Sequence, residues 1–270
     1  MALSPWLLAN VSALLLASWL FLRTNRDAPP GLRVAYVRAL PFTVLGALGV
    51  DYALALLGYA LSGGSGEPPR AFGVMAYGAL FGLGGAFALF ARRRGFSVYD
   101  ALDRITAPLA LLVAVGRLGC TWAGCEHGRP TGTWLGVVYD RTSPHFAELV
   151  REGLVPAFAT CSVPLHPATL YEAAFALGAC ALALALRPRP TTRRGGVFFA
   201  GTLVYAGGRI VSELFRADAR AATFTTGQAM SVFVVALALS LALRETDRRS
   251  DATQNRGDGE AWPSSPPSPR

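Results

Sequence analysis

Residues 116–131 read G-R-L-G-C-T-W-A-G-C-E-H-G-R-P-T, from Gly116 to Thr131. The stretch closes an apolar run that opens at Ala101, so it lies where a membrane-spanning helix gives way to a polar segment. An arginine at such a depth is costly unless an opposite charge meets it. Arg117 can snorkel from a helix end to the interface. Alternatively, Gly116 and Gly119 leave room for a ligand, and a guanidinium suits a phosphate through paired hydrogen bonds.

Working outward, 52% of the 270 residues are hydrophobic and 16% are charged. That balance belongs to a polytopic membrane protein rather than a soluble domain. The formal charge is +8, and every basic residue is arginine. The arginines cluster in short loops between apolar runs, a pattern of membrane topology and not of nucleic-acid binding. The four cysteines form no C-x-x-C pair, so no metal site is expected.

The apolar runs predict an all-α fold with about seven transmembrane helices. They cover residues 1–22, 34–62, 71–91, 101–118, 167–186, 196–215 and 227–243. The first lacks the basic leader of a secretory signal and reads as a span. Gly73, Gly78, Gly82, Gly84 and Gly85 let a neighbour approach the third span closely. Residues 119–165 form an external segment, with a strand-like run from Thr133 to Tyr139. Residues 1–243 make one domain; residues 244–270, charged and then Ser/Pro-rich, read as a disordered tail.

Arginines crowd the first, third and fifth loops and the tail: Arg23, Arg26 and Arg33; Arg92, Arg93 and Arg94; Arg187, Arg189, Arg193 and Arg194; Arg244, Arg248 and Arg249. The positive-inside rule then places the N-terminus outside and the C-terminus in the cytoplasm.

In the sixth run, Tyr205, Arg209, Glu213 and Arg216 recur at spacings that fall near one helix face. Arg209 lies inside the apolar run and needs a partner, which Glu213 at i+4 supplies. Two readings stay open: a structural Arg–Glu pair, or Arg209 and Arg117 converging on one anionic head group. His166 opens the fifth run, either as a helix-start residue or as a proton acceptor. Tyr77 reads as packing with a bonded hydroxyl. An outer location is oxidising, so a disulfide is possible among Cys120, Cys125 and Cys161, with no pairing chosen by spacing. Cys180 reads as a small packing residue.

Taken together, these motifs resemble the prolipoprotein diacylglyceryl transferases from about Leu32 to Leu243. The matches are G-R-L-G at Gly116–Gly119, G-R at Gly128 and Arg129, H-P-A-T-L-Y-E at His166–Glu172, and Y-x-x-x-R-x-x-x-E-x-x-R at Tyr205–Arg216. The resemblance implies transfer of the diacylglyceryl group of phosphatidylglycerol to a lipobox cysteine thiol, releasing glycerol phosphate. It implies that Arg117 binds the lipid phosphate, with Gly116, Gly119 and Arg216 beside it. Arg209, Tyr205 and Glu213 would then face the reacting centre. The expected partners are phosphatidylglycerol and the prolipoprotein lipobox segment. The expected protein is a monomer in the bacterial cytoplasmic membrane, with no cofactor and no nucleic acid.

The chain departs from the family in two places. Tyr77, Gly78 and Ala79 stand where the family usually has a histidine and two glycines. The family's G-N-F-x-N-x-E becomes Cys120, Ala123 and Cys125 at its two asparagines and its glutamate. Tyrosine is a poor base near neutral pH, so His166 or His127 is expected to substitute; the candidate bases near the cleft are Tyr77, His127, His166 and Glu172. A non-catalytic phospholipid-binding or transport paralogue is the alternative expectation.

Overall fold

The computed structural model describes residues 5–61, 63–64, 76–124, 126–151, 153–187, 194–217, 228–240 and 243. Its regular elements are helices: α1 (Pro5–Thr24), α2 (Pro30–Ala39), α3 (Pro41–Leu61), α4 (Ala76–Arg92), α5 (Val98–Ala123), α6 (Pro144–Arg151), α7 (Ala168–Ala185), α8 (Gly196–Glu213) and α9 (Gln228–Ser240). Among the described residues no strand is named.

The all-helical membrane class agrees with the sequence, and four runs are long and apolar enough to cross a bilayer: α1, α2 with α3, α5 and α7. The short apolar helices α4 and α9 fall below that length, and α8 is not among the four. Parts of the expected third and seventh runs, residues 71–75, 227 and 241–242, lie outside the described residues, as does the tail beyond 243.

Three expectations are corrected. The second run is two helices, because Pro41 has no N–H to donate and Leu40 closes a tighter turn onto Val37 O at 3.3 Å. The fourth run continues helical to Ala123, so Gly119 belongs to the helix rather than to the external segment. Thr133–Tyr139 is not a strand. It turns at Thr133–Leu135 and then makes isolated bridges, Val137 to Leu165 and Asp140 to Cys161. The same segment holds α6, whose Phe146 and Leu149 bury against Val155 and Leu165 in a small core of their own.

Helix α5 is the axis of the bundle, in contact with α1, α4, α7 and α8. Ser97 caps it by accepting from the Asp100 amide at 3.5 Å, and Gly124 ends it in the left-handed conformation at φ 76°. Asp103 then fixes α8 against it. One carboxylate oxygen accepts from Gly195 N at 2.7 Å and the other from Phe198 N at 2.8 Å, which satisfies amides at the start of α8. This contact sets a register. Arg117 lies fourteen residues beyond Asp103, and Arg209 fourteen beyond Gly195. At 1.5 Å per residue both climb about 21 Å from the shared anchor and arrive at the same end of the bundle.

Small residues let α3 and α4 touch backbone to backbone. A Cβ on Gly82 would overlap the Phe42 carbonyl, and one on Gly46 or Gly78 would overlap the facing helix. Gly85, one turn along, faces open space. Gly82→Val is therefore expected to cost about 1–3 kcal/mol, whereas Gly85→Ala raises the unfolding midpoint slightly through helix propensity. Thermal unfolding in detergent measures both.

Candidate active site

The end of the bundle reached by Arg117 and Arg209 also receives the start of α7. There Pro167 occupies the N-cap, and Glu172 follows in the second turn, fully buried. On α8, Tyr205, Arg209 and Glu213 share the face turned inward. The helix stops at Glu213, and Arg216 is turned back toward α5 by backbone pairing. Arg129 N donates to Phe215 O at 2.9 Å, His166 N donates to Arg129 O at 3.0 Å, and Gly128 bridges Arg216. Gly128 lies so close to the His166 backbone that a Cβ would collide with it, which explains a glycine there. The G-R, H-P and F-R segments, far apart in sequence, thus form one weave that carries Glu126 over the end of α5.

Six charges close into a ring. Arg117 pairs with Glu126 at 2.9 Å through Nη1 and with Glu172 at 2.9 Å through Nε. The second contact lies off the N–H axis and is ionic rather than hydrogen bonded. Glu172 Oε1 also lies 3.4 Å from Arg209 Nε and accepts the Tyr205 hydroxyl at 3.0 Å. Arg209 pairs with Glu213, Glu213 with Arg216 at 3.7 Å, and Arg216 with Glu126. Three arginines and three glutamates alternate around the circuit, and each charge touches two of the opposite sign. Removing one partner of a buried pair costs about 3–5 kcal/mol, because the other charge is left uncompensated.

The ring is not uniformly shielded. The Glu172 and Glu213 side chains are 2% and 4% exposed, whereas Glu126 is 26% exposed and marks the open side. Burial pushes the Glu126 carboxyl up, but Arg117 and Arg216 outweigh it and hold the carboxyl at about 2. A depressed carboxylate adds stability above its ordinary range and loses it as pH falls from about 4.5 toward 2. These ion pairs therefore stand throughout the neutral range.

Other expected residues sit around the ring. Tyr77 shares a 2.6 Å hydrogen bond with Ser231 of α9, and its ring lies 5.9 Å from that of Tyr205. His166 bonds the Tyr171 hydroxyl at 3.1 Å and packs on Phe215 at 4.8 Å. Burial, and then the charge of Arg129, lower its pKa. His127 pairs its carbonyl with Ala217 N in the weave. Gly119 packs on Ala9 of α1, and Gly116 faces Asn10. Cys161 is an exposed free thiol, Cys180 is buried, and Cys125 lies outside the described residues.

Sequence reasoning missed two contributors, Glu126 and His145, and the central place of a third, Glu172. Glu126, one residue after Cys125 where the resemblance led to the expectation of a glutamate, reaches both Arg117 and Arg216. Glu172, at the end of H-P-A-T-L-Y-E and one of the candidate bases, is also the hub of the ring, in contact with Arg117, Arg209 and Tyr205. His145 on α6 donates through Nε2 to the Thr121 carbonyl at 2.7 Å and ties the polar segment to the end of α5. Burial, then the nearby His127, lower the His145 pKa against the effect of that bond. No sequence signal marked it.

Two apolar cavities flank α5 and reach the site. One, of about 260 Å³, lies among α4, α5, α8 and α9 and includes Tyr77 and Tyr205 in its wall. The other, of about 410 Å³, lies among α1, α3, α4 and α5 and includes Arg117 and Cys120. The second hollow, apolar and ending at Arg117, matches an amphiphile with one anionic end.

A sequence model described as prolipoprotein diacylglyceryl transferase matches residues 7–244. Among curated proteins, the phosphatidylglycerol–prolipoprotein diacylglyceryl transferase of Clostridium tetani is 29% identical over 169 residues, 62% of each chain. Proteins of the same name from Dehalococcoides mccartyi and Bacillus mycoides are 26% and 30% identical. The first match spans 89% of this chain and 88% of the relative, the second 63% and 60%. The Clostridium and Bacillus matches thus cover about three fifths of those relatives' length. The family match, by contrast, runs across the helical body from the first helix past the last, and the chain belongs to the prolipoprotein diacylglyceryl transferase family.

Proposed function

We propose that this protein moves the diacylglyceryl group of phosphatidylglycerol onto the lipobox cysteine thiol of a prolipoprotein and releases glycerol phosphate. The observation that carries this reading is the closed ring of charge, with one apolar cavity opening onto Arg117 and a second ending at Tyr205 beside the ring. Its guanidiniums suit the lipid phosphate, and the cavities suit the acyl chains. The arginine-rich alternate loops support a protein of the bacterial cytoplasmic membrane with its N-terminus outside, which opens the site to exported substrates.

In this reaction the thiolate sulfur attacks the glycerol carbon that bears the phosphate. The S–C bond forms as the C–O bond breaks, and the electron pair leaves on the phosphate oxygen. Arg117 and Arg209 stabilise that developing charge in a low-dielectric site. The thiol proton needs an acceptor. Tyr205 takes it while passing its own proton to Glu172 Oε1 along the existing 3.0 Å bond. Protonated Glu172 no longer neutralises Arg117 and Arg209, so Arg117 holds the departing phosphate more strongly and Arg209 adds uncompensated positive charge behind it. In this account Tyr77 orients Tyr205, and Glu213 orients Arg209 and Arg216.

A second reading is favoured by one observation. Tyr77, which stands where the resemblance leads one to expect a histidine, has its hydroxyl engaged with Ser231. A paralogue that binds phospholipid without transferring it would tolerate that change.

One assay separates the two. Purified protein, phosphatidylglycerol and a lipobox peptide are expected to release glycerol phosphate, and a peptide with serine for cysteine releases none. Arg117→Ala abolishes release, and Arg117→Lys recovers little, because lysine keeps the charge without the planar fork. Phosphatidylglycerol binding without release would establish the paralogue reading.

Tyr205→Phe is expected to lower kcat by about 10²–10⁴-fold while leaving KM for the lipid nearly unchanged, the signature of a lost proton carrier. Equal loss in KM alone would remove Tyr205 from the proton path. Steady-state kinetics over both substrates measures the split.

A further inference from the structure

Glu126 differs from the other two carboxylates of the ring. Glu172 and Glu213 project from helices and are enclosed; Glu126 follows the end of α5 and is the most exposed member. It bridges Arg117 and Arg216, the two guanidiniums nearest the open side. A carboxylate that bridges two arginines presents what a phosphodiester would: acceptor oxygens with one negative charge, in reach of two planar forks. Both cannot hold the same donors at once. Displacing Glu172 instead would break its contacts with Arg117, Arg209 and Tyr205 together. Displacing Glu126 opens the ring on one side and leaves the Arg117–Glu172–Arg209–Glu213 arc intact.

We propose that Glu126 is an internal competitor of the donor phosphate: its carboxylate holds Arg117 and Arg216 until the phosphate takes its place. It sets donor affinity rather than reacting, and the two arginines are kept paired between turnovers. The inference deepens the transferase reading of the same site and takes the identity of the donor from it. It explains how a glutamate one residue past the family position serves here: the side chain needs to reach the arginines and to leave them.

Binding tests this directly. Protein in nanodiscs free of anionic lipid is titrated calorimetrically with short-chain phosphatidylglycerol. If the competing contact is formed about nine-tenths of the time, Glu126→Gln binds about tenfold tighter, because apparent affinity is reduced by the unavailable fraction. Glu126→Asp, which keeps the charge on a shorter arm, falls between, and it serves if the glutamine variant does not fold. Equal or weaker binding in a folded variant overturns the proposal. A second arm uses sn-glycerol phosphate: the same tightening shows that the phosphate is what exchanges, and tightening for the lipid alone overturns the exchange. Because the readout is binding, absence of glycerol phosphate release in the wild-type protein would remove the transferase reading and leave this proposal standing. Release with no change in affinity would do the reverse.

Discussion

An arginine drawn into an apolar bundle must meet a carboxylate there or be expelled to the interface. This chain carries three arginines at one end of its bundle, and it meets the constraint with three glutamates arranged so that no charge has a single partner. Three helices that reach this end supply part of the circuit: α5 gives Arg117, α7 gives Glu172, and α8 gives Arg209 and Glu213. The loop after α5 and the turn after α8 close it with Glu126 and Arg216. A neutral ring is stable in a low dielectric, yet any event that removes one negative charge frees positive charge at a defined place. That property joins the stability of the bundle to phosphoryl chemistry.

The remainder of the fold serves that geometry. Asp103 anchors the start of α8 to α5, and equal rises along two parallel helices bring Arg117 and Arg209 level. The threonine pair Thr121 and Thr169, bonded at 2.8 Å, fastens α5 to α7 beside the ring. The weave of residues 128–129, 165–166 and 215–217 fixes the open side by backbone bonds, which depend little on side-chain identity. This suits a site whose first requirement is register, since small displacements of ion pairs in a low dielectric are expensive.

Much of this was legible in the sequence. The membrane class followed from apolar runs, and the inward face of α8 followed from the spacing of Tyr205, Arg209 and Glu213; Arg216, expected on the same face, lies past the end of the helix. The helix break at Pro41 was legible too, had Leu40–Pro41 been weighed against a continuous apolar run. The closure of the ring was not legible. Glu172 reaches Arg117 only because α7 packs on α5, a tertiary fact with no local signature. Glu126 was masked by a one-residue offset from the family pattern. The external segment was harder still: α6 is only eight residues long, so its apolar residues, although they share one face and bury against its own loop, make too short a run to announce a helix.

The central claim is that the ring of charge is where the lipid phosphate sits. The most direct test is a structure of the protein in nanodiscs with phosphatidylglycerol bound. The account predicts the phosphorus within one hydrogen-bonded shell of the Arg117 and Arg216 guanidiniums, with acyl chains in the cavities on either side of α5. A lipid whose phosphate lies away from both arginines, with all six charges still paired among themselves, would contradict it.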